Sequence, residues 1–373
     1  MRSPRLQDIL EAKKEYLNTL SFTYWHQKTL HAIRRCRTAE LGGHIDKCTC
    51  CNKLHLSYNS CRNRHCPRCQ AHKRDAWVAA RQAELLNTHY YHMVFTLPSE
   101  LNRLALYNPK EVYASLFSAA WQTVKTFTQN NLNTTAGMIA VLHTWGQNLA
   151  LHPHVHCIIP AGGIDKAGKW IPQKKKRKHL FPVKAMSPVF RAKMMASIRA
   201  KKVVIPKEIA NVVFSKNWVV YAKKSFKHPV HVIKYLGQYT HRIAISDGRI
   251  VAFDKEKDTV SFKIKDYRDN DKIKVLTYKT NHFINQFQLH ILPRGFTRIR
   301  HYGLLSSTTK RKFLKQLQEE LNTNITVLEQ PKENNHRKCP SCGKGDLVTV
   351  LCFGSRGPPV MALDIINIHN LKK

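Results

Sequence analysis

The run His152-Pro153-His154-Val155-His156-Cys157-Ile158-Ile159 constrains this chain more than any other segment. It is mostly apolar and stops at Pro160-Ala161-Gly162-Gly163, so it reads as a buried β-strand. Side chains alternate along a strand. His154 and His156 therefore share one face, and Val155 and Cys157 turn to the core. A second regularity is Tyr235-Leu236-Gly237-Gln238-Tyr239. In a helix, residues four apart stack on one face, so Tyr235 and Tyr239 present two phenols together. Two imidazoles can hold a divalent metal, and two phenols can attack one phosphate after another.

The surrounding sequence predicts an α+β protein. Residues 5–40 hold two helical stretches, the first through Leu6, Ile9, Leu10, Tyr16, Leu17 and Leu20. A charged helix is predicted from Ala71 to Leu86, and His92–Leu97 reads as a strand stopped by Pro98. Ser99-Glu100 opens a helical region to about residue 131, with a break at Pro109. Met138–His143 is a further strand, and residues 248–280 alternate like paired hairpin strands. The expected architecture is a sheet with helices on one face. Residues 164–210 look like a basic insertion, with Lys174-Lys175-Lys176-Arg177-Lys178 in it, and the tail beyond about 330 looks loosely attached. The expected domains are 1–88, helical and metal-binding; 89–305, catalytic; and a basic tail, 306–373.

Charge identifies the class of partner. The chain has 62 Lys+Arg against 24 Asp+Glu, a net +38 over 373 residues. Such an excess repels itself unless a polyanion neutralises it, which points to nucleic acid ahead of an anionic membrane surface. No apolar run approaches the ~20 residues of a membrane span, and Met1-Arg2-Ser3-Pro4 does not open a secretory leader. The expectation is a cytoplasmic, nucleoid-associated protein without a membrane partner. In a reducing compartment its eleven cysteines read as metal ligands before disulfides.

Cys48-x2-Cys51 and Cys66-x2-Cys69 stand fourteen residues apart. Two such turns can close a tetrahedron on one structural Zn²⁺, leaving no open position for catalysis. Cys36, Cys50, Cys61, His44, His55 and His65 are spare donors nearby, so Cys61 or His65 can replace one of the four, or a second ion can bind. Cys339-x2-Cys342 is half of another site, with Cys352 and His336 as candidate partners. Arg62, Arg64 and Arg68 lie on the knuckle loop, where guanidinium groups suit phosphate or guanine.

His143, His152, His154 and His156 crowd a short stretch. His143 reaches the His-x-His site if its strand pairs with the next one; His152 is the rival third ligand. The ion in use would be Mg²⁺ or Mn²⁺, although imidazoles favour softer metals. A tyrosine phenol, with a pKa of about 10, is a poor nucleophile unaided. Lys234, His241 and Arg242 are near enough in sequence to help stabilise a phenolate. No Gly-x4-Gly-Lys-Ser/Thr loop is present, so no nucleotide cofactor is expected.

With these residues in view, the chain resembles the rolling-circle transposases of bacterial insertion sequences, HUH-class enzymes with two tyrosines and an N-terminal zinc-binding region. The matching segments are Tyr58-Asn59-Ser60-Cys61-Arg62-Asn63-Arg64-His65-Cys66-Pro67-Arg68-Cys69-Gln70, then His92–Pro98, Leu142–Gln147 through His156, Tyr235–Arg242, and Leu292–Gly303, which carries Arg298 and Arg300. They run in the family order from about residue 10 to 305. The resemblance implies a ferredoxin-like HUH fold, His154 and His156 as metal ligands, and a third histidine eleven residues before the pair, which is His143 here. It also implies that Tyr235 and Tyr239 cleave single-stranded DNA at element ends and target through 5′-phosphotyrosine links, and that host helicase or replication proteins unwind the element. Arg62, Arg64, Arg68, Arg242, Arg298 and Arg300 are the expected DNA contacts.

Two places depart from the family pattern. Gln238 stands between the tyrosines where Arg is usual, and Asn285-Gln286 stand where the family is richer in Arg. A replication initiator or relaxase would use the same chemistry. A zinc-containing DNA-binding protein without catalysis would leave the tyrosines and histidines unexplained, and a carboxylate-triad transposase would form no covalent intermediate.

Overall fold

The structure is a computed structural model that describes residues 3–20, 23–173, 179–222, 237, 242–266, 269–323 and 337–359. By packing, the chain divides into two compact units. One comprises Met1–Ala76, Ile245–Gln288 and Leu328–Lys373; the other comprises Trp77–Ala244 and Leu289–Val327. Among the described residues, no helix is long and apolar enough to cross a membrane.

The first unit opens on α1 (Leu6–Ala12), α2 (Lys14–Thr19) and α3 (Tyr24–Arg34). Leu6, Ile9, Leu10, Leu17, Leu30 and Ile33 are buried, as their helical spacing predicts. β1 (Gly43–Cys48) and β2 (Leu54–Tyr58) form a hairpin, and β13 (Leu347–Phe353) adds to the other edge of β1, giving the order β13-β1-β2. The described part of the tail, residues 337–359, is therefore tied into a sheet through β13. A meander of β9 (Ile250–Asp254), β10 (Thr259–Asp266) and β11 (Lys272–Lys279) leads into the helix Thr280–Gln288.

Sequence places residues 245–288 in the catalytic domain, but they pack with the N-terminal helices. The Leu6 N–H donates to Asp247 Oδ1 at 3.1 Å, Lys13 pairs with Asp258 at 3.0 Å, and the Tyr16 hydroxyl donates to Asn285 Oδ1 at 3.0 Å. Asn285, one of the two departures from the family pattern, is thus engaged inside its own unit. No local periodicity announces a segment that folds back across more than two hundred residues.

The second unit is a ferredoxin-like α+β layer. β3 (Tyr90–Thr96) leads through α5 (Asn102–Tyr107) and α6 (Pro109–Leu132) to β4 (Thr135–Trp145). β5 (Leu151–Pro160) follows, then α7 (Val183–Ala200), α8 (Lys207–Ser215) and β8 (Val220–Ala222). The strands lie in the order β4-β5-β3-β8, all antiparallel, which is the split βαβ arrangement. β6 (Gly162–Ile164) and β12 (Ile299–Gly303) share the outer edge of β4, and β7 (Trp170–Pro172) extends β6. Pro109 stands at the first turn of α6, where a missing N–H costs nothing, so the expected break is a new helix start.

Alternation gives this sheet two faces of different character. Met93 and Phe95 of β3, Met138, Ala140 and Leu142 of β4, and Val155, Cys157 and Ile159 of β5 join one core with α6, α7 and α8. Met186, Phe190, Met194, Met195 and Ile198 of α7 are all buried in it. The region expected to be a basic insertion therefore supplies a core helix; Lys174–Lys178 lie outside the described residues. On the opposite face Tyr90, Ile139, Val141 and Ile158 meet Trp77 and Val78 of α4 (Ala71–Gln82). Helices are thus not confined to one side.

Gly303 closes β12 with φ +56°. A Cβ there would sit 2.0 Å from the Ala136 carbonyl oxygen and 2.6 Å from Trp121, so only glycine fits.

Candidate functional site

The second face carries the histidines. In the β4–β5 ladder His143 lies directly opposite His154, and a bulge follows between His143 and Trp145. Even-numbered positions of β5 place His154 and His156 on the face turned away from the α6–α8 core, and β3 brings His92 onto it beside His156. One ring nitrogen from each of His143, His154 and His156 lies within 4.8 Å of the others. His152 does not join this group, although its ring centroid is 5.1 Å from that of His154.

The partners of these rings determine which nitrogen faces a ligand. The His154 Nδ1–H donates to the His152 carbonyl at 2.6 Å, so Nε2 carries the lone pair. His156 Nδ1 is hydrogen-bonded to His92 Nε2 at 2.9 Å; with His156 as the donor, its Nε2 carries a lone pair that could meet a metal. Desolvation lowers the His154 pKa to about 4. Desolvation holds His156 well below its ordinary value, helped by the charges of His143, His154, His92 and Arg242. Both rings are therefore neutral near pH 7, as ligation requires. Three neutral nitrogens suit a divalent cation and leave its other positions to oxygen ligands.

Tyr235, Gln238, Tyr239, Lys234 and His241 lie outside the described residues. Gly237, between the tyrosines, is described and helical. A Cβ on it would come 2.4 Å from Val78 Cγ2. Val78 in turn packs on Ile139, Val141 and Ile158, the face that bears the histidines.

The expected DNA contacts have diverse surroundings. Arg242 is exposed, and its carbonyl accepts a 3.0 Å bond from Arg298, which is itself buried. Arg300 sits opposite Ala140 on the helix-covered face, its guanidinium 4.5 Å from the Phe117 ring centre and 5.2 Å from that of Phe296. That stacking gives Arg300 a packing role on the side away from the histidines. Arg62 is exposed with φ +52°, Arg64 is half-buried, and Arg68 donates to Gln7 Oε1 at 3.1 Å.

The cysteines divide differently from the single four-cysteine site that sequence spacing suggests. Cys66 and Cys69 gather with Cys36 and Cys61; Cys48 and Cys51 gather with Cys339 and Cys342. In the first cluster Cys69 Sγ lies 3.6 Å from Cys36 and 3.7 Å from Cys61. A tetrahedral Zn²⁺ with bonds of ~2.3 Å implies an S···S edge of ~3.8 Å, so these residues fit zinc. His65 is not part of this group; its ring Nε2 accepts from Arg64 Nε at 3.4 Å. Thiol donors from Cys36, Cys61 and Cys66 hold the Cys69 pKa far below the ordinary range, while those contacts push Cys66 up. Such a cluster concentrates negative charge that a cation relieves. Sequence spacing could not select Cys36, because the end of α3 is brought to the knuckle only by tertiary packing. His92 was legible in principle: it shares the period-two face of its own strand.

His290 supports the site from behind. Its Nε2–H donates to the Leu149 carbonyl at 2.9 Å, and Nδ1 meets the Thr144 hydroxyl at 3.2 Å, next to His143. Burial lowers its pKa from 6.5 to about 4. Below pH 6.5 the unfolded chain takes a proton that the native chain refuses until about pH 4, so this contribution is complete above 6.5 and is lost as pH falls. Between pH 7 and 5 the loss is about 2 kcal/mol. In urea titrations, His290→Gln is expected to flatten the pH dependence of stability by that amount; an unchanged slope would refute the assignment.

Residues 137–334 match the family model described as "Putative transposase", and residues 8–97 match the "Transposase zinc-binding domain" of the IS91 type. A "Putative transposase y4qJ" from Sinorhizobium fredii is 39% identical over 95% of this chain and 97% of its own length. The "Transposase for insertion sequence element IS801" from Pseudomonas savastanoi pv. phaseolicola is 26% identical over 79% of this chain and 73% of its own. No solved structure matches. A catalytic layer and a cysteine-rich N-terminal region matched separately, together with a relative aligned almost end to end, show that this chain belongs to the insertion-sequence transposases with an IS91-type zinc-binding domain.

Proposed function

We propose that this transposase cuts and rejoins single-stranded DNA through 5′-phosphotyrosine links to Tyr235 and Tyr239, beside a Mg²⁺ or Mn²⁺ site held by His143, His154 and His156. The observation that supports it most is the convergence of those three histidines on one sheet face, with the tautomer of His154 set by the His152 carbonyl. A cation bound there supplies Lewis-acid stabilisation of charge on the phosphate oxygens.

The rest falls to the chain. One tyrosine oxygen, giving up its proton, attacks phosphorus; the P–O3′ bond breaks, and the 3′ oxygen leaves as a free hydroxyl after taking a proton. Joining is the reverse: a 3′-hydroxyl attacks the phosphotyrosine and expels the phenolate. Each step exchanges one phosphodiester bond for another, so no nucleotide is consumed. The second tyrosine permits another cleavage while the first link persists, as a rolling-circle reaction needs. Arg242, whose charge is felt at His156, is placed to steady a phosphate or phenolate. Host helicase or replication proteins would supply the single strand.

The test uses the full chain and a labelled single strand from the element's end. With Mn²⁺ an adduct that survives denaturing electrophoresis is expected; with chelator there should be none. A zinc-loaded protein that binds this strand but forms no adduct across a Mn²⁺ titration would overturn the reading.

A further inference from the structure

We propose that the chain carries a second structural zinc site formed by Cys48, Cys51, Cys339 and Cys342, which fastens the C-terminal segment to the N-terminal zinc-binding region. The two C-terminal ligands lie beyond both matched family regions, which end at residues 97 and 334. The inference concerns architecture and stands apart from the tyrosine chemistry.

The cluster has the geometry of a closed site. Cys48 Sγ lies 3.7 Å from Cys342 Sγ, and Cys51 Sγ lies 3.7 Å from Cys339 Sγ. These separations match the ~3.8 Å edge of a zinc–thiolate tetrahedron and far exceed a disulfide bond. Each pair sits on a tight knuckle whose backbone N–H groups point at sulfur: Cys50 and Cys51 donate to Cys48 at 3.3 and 3.4 Å, and Gly345 donates to Cys342 at 3.5 Å. His55 Nε2 lies 3.3 Å from Cys339 Sγ, an outer contact of the kind that orients ligands.

The backbone around the cluster is built to bring the knuckles together. β13 pairs antiparallel with β1, Cys48 opposite Leu347, with a register shift between Ile45 and Asp46. The Thr49 N–H donates to the Asp346 carbonyl at 2.9 Å, and the Asp346 N–H returns to Thr49 Oγ1 at 3.0 Å. Gly345 passes so close that a Cβ would lie 2.5 Å from Cys48 Sγ. Cys352, the partner considered from sequence, pairs across the ladder with His44 at the other end of β13 and is exposed; His336 lies outside the described residues. Four protein thiolates fill the coordination sphere, so the site is structural.

The experiment measures zinc on the purified full chain after dialysis against a weak chelator. Two zinc ions per chain are expected, falling to one in Cys339→Ser/Cys342→Ser and to one in Cys36→Ser/Cys69→Ser. Because a variant can fail to fold, wild-type protein is also alkylated with and without a strong chelator and mapped by mass spectrometry. Cys339 and Cys342 should be protected together with Cys48 and Cys51 until the chelator is added, while Cys352 reacts at once. One zinc per wild-type chain, or Cys339 and Cys342 as reactive as Cys352 before chelation, would overturn the proposal.

Discussion

Replacing Tyr235 and Tyr239 together by phenylalanine is expected to leave single-stranded DNA bound but uncut, with no covalent adduct at any Mn²⁺ concentration. The substitution removes one oxygen from each ring and keeps the apolar body, so packing changes little while the nucleophile disappears. Binding should persist because it draws on the basic surface, and it should weaken with added salt as counterions compete. Each single substitution should still give an adduct on the remaining tyrosine but should halt the reaction after one cleavage, so that cut strands accumulate and rejoined product does not. A full-strength adduct in the double variant, mapped to another residue, would remove both tyrosines from the site.

His156→Ala should have the next largest effect. His156 is buried, its Nδ1 is fixed by His92, and its other nitrogen completes the group with His143 and His154. Removing it takes away one of the three proposed ligands and leaves His92 without that imidazole. Loss of the charge stabilisation of a bound cation is worth several kcal/mol, so cleavage should fall on the order of 10²–10³-fold. Raising Mn²⁺ should recover part of the loss, which a purely structural role for the ring would not allow. The control is His152→Ala: that ring stands outside the group, so the variant should cleave within a few-fold of wild type. Equal loss in both would mean that the histidines matter only for packing.

The parts of this molecule that were legible in sequence are those that local periodicity dictates. β3, β4 and β5 follow from apolar residues at every second position, and that alternation put His154 and His156 on one face before any fold was known. Pro109 marked a break in the helical region, which the structure shows as the start of α6. Legibility stops where partners are distant in the chain. Cys36 and Cys61, or Cys48 and Cys339, have no spacing that links them; only the docking of α3 and the pairing of β13 with β1 bring them together. α7 was hidden differently. Its buried residues Met186, Phe190, Met194 and Ile198 recur every fourth position, but the lysines and arginines around them made the stretch look like a solvated loop. Arg300 shows a third limit: sequence offers no sign that its guanidinium stacks on the rings of Phe117 and Phe296.

The pairing of β13 with β1 has a consequence for how the chain matures. β1 is the middle strand of its sheet, and one of its two neighbours, β13, is synthesised long after it. Until then a nascent or prematurely terminated product presents a bare strand edge and unpartnered thiols at Cys48 and Cys51. Loss of β13 would therefore damage the sheet built on β1, and the protein could be disabled without any change in its proposed catalytic residues.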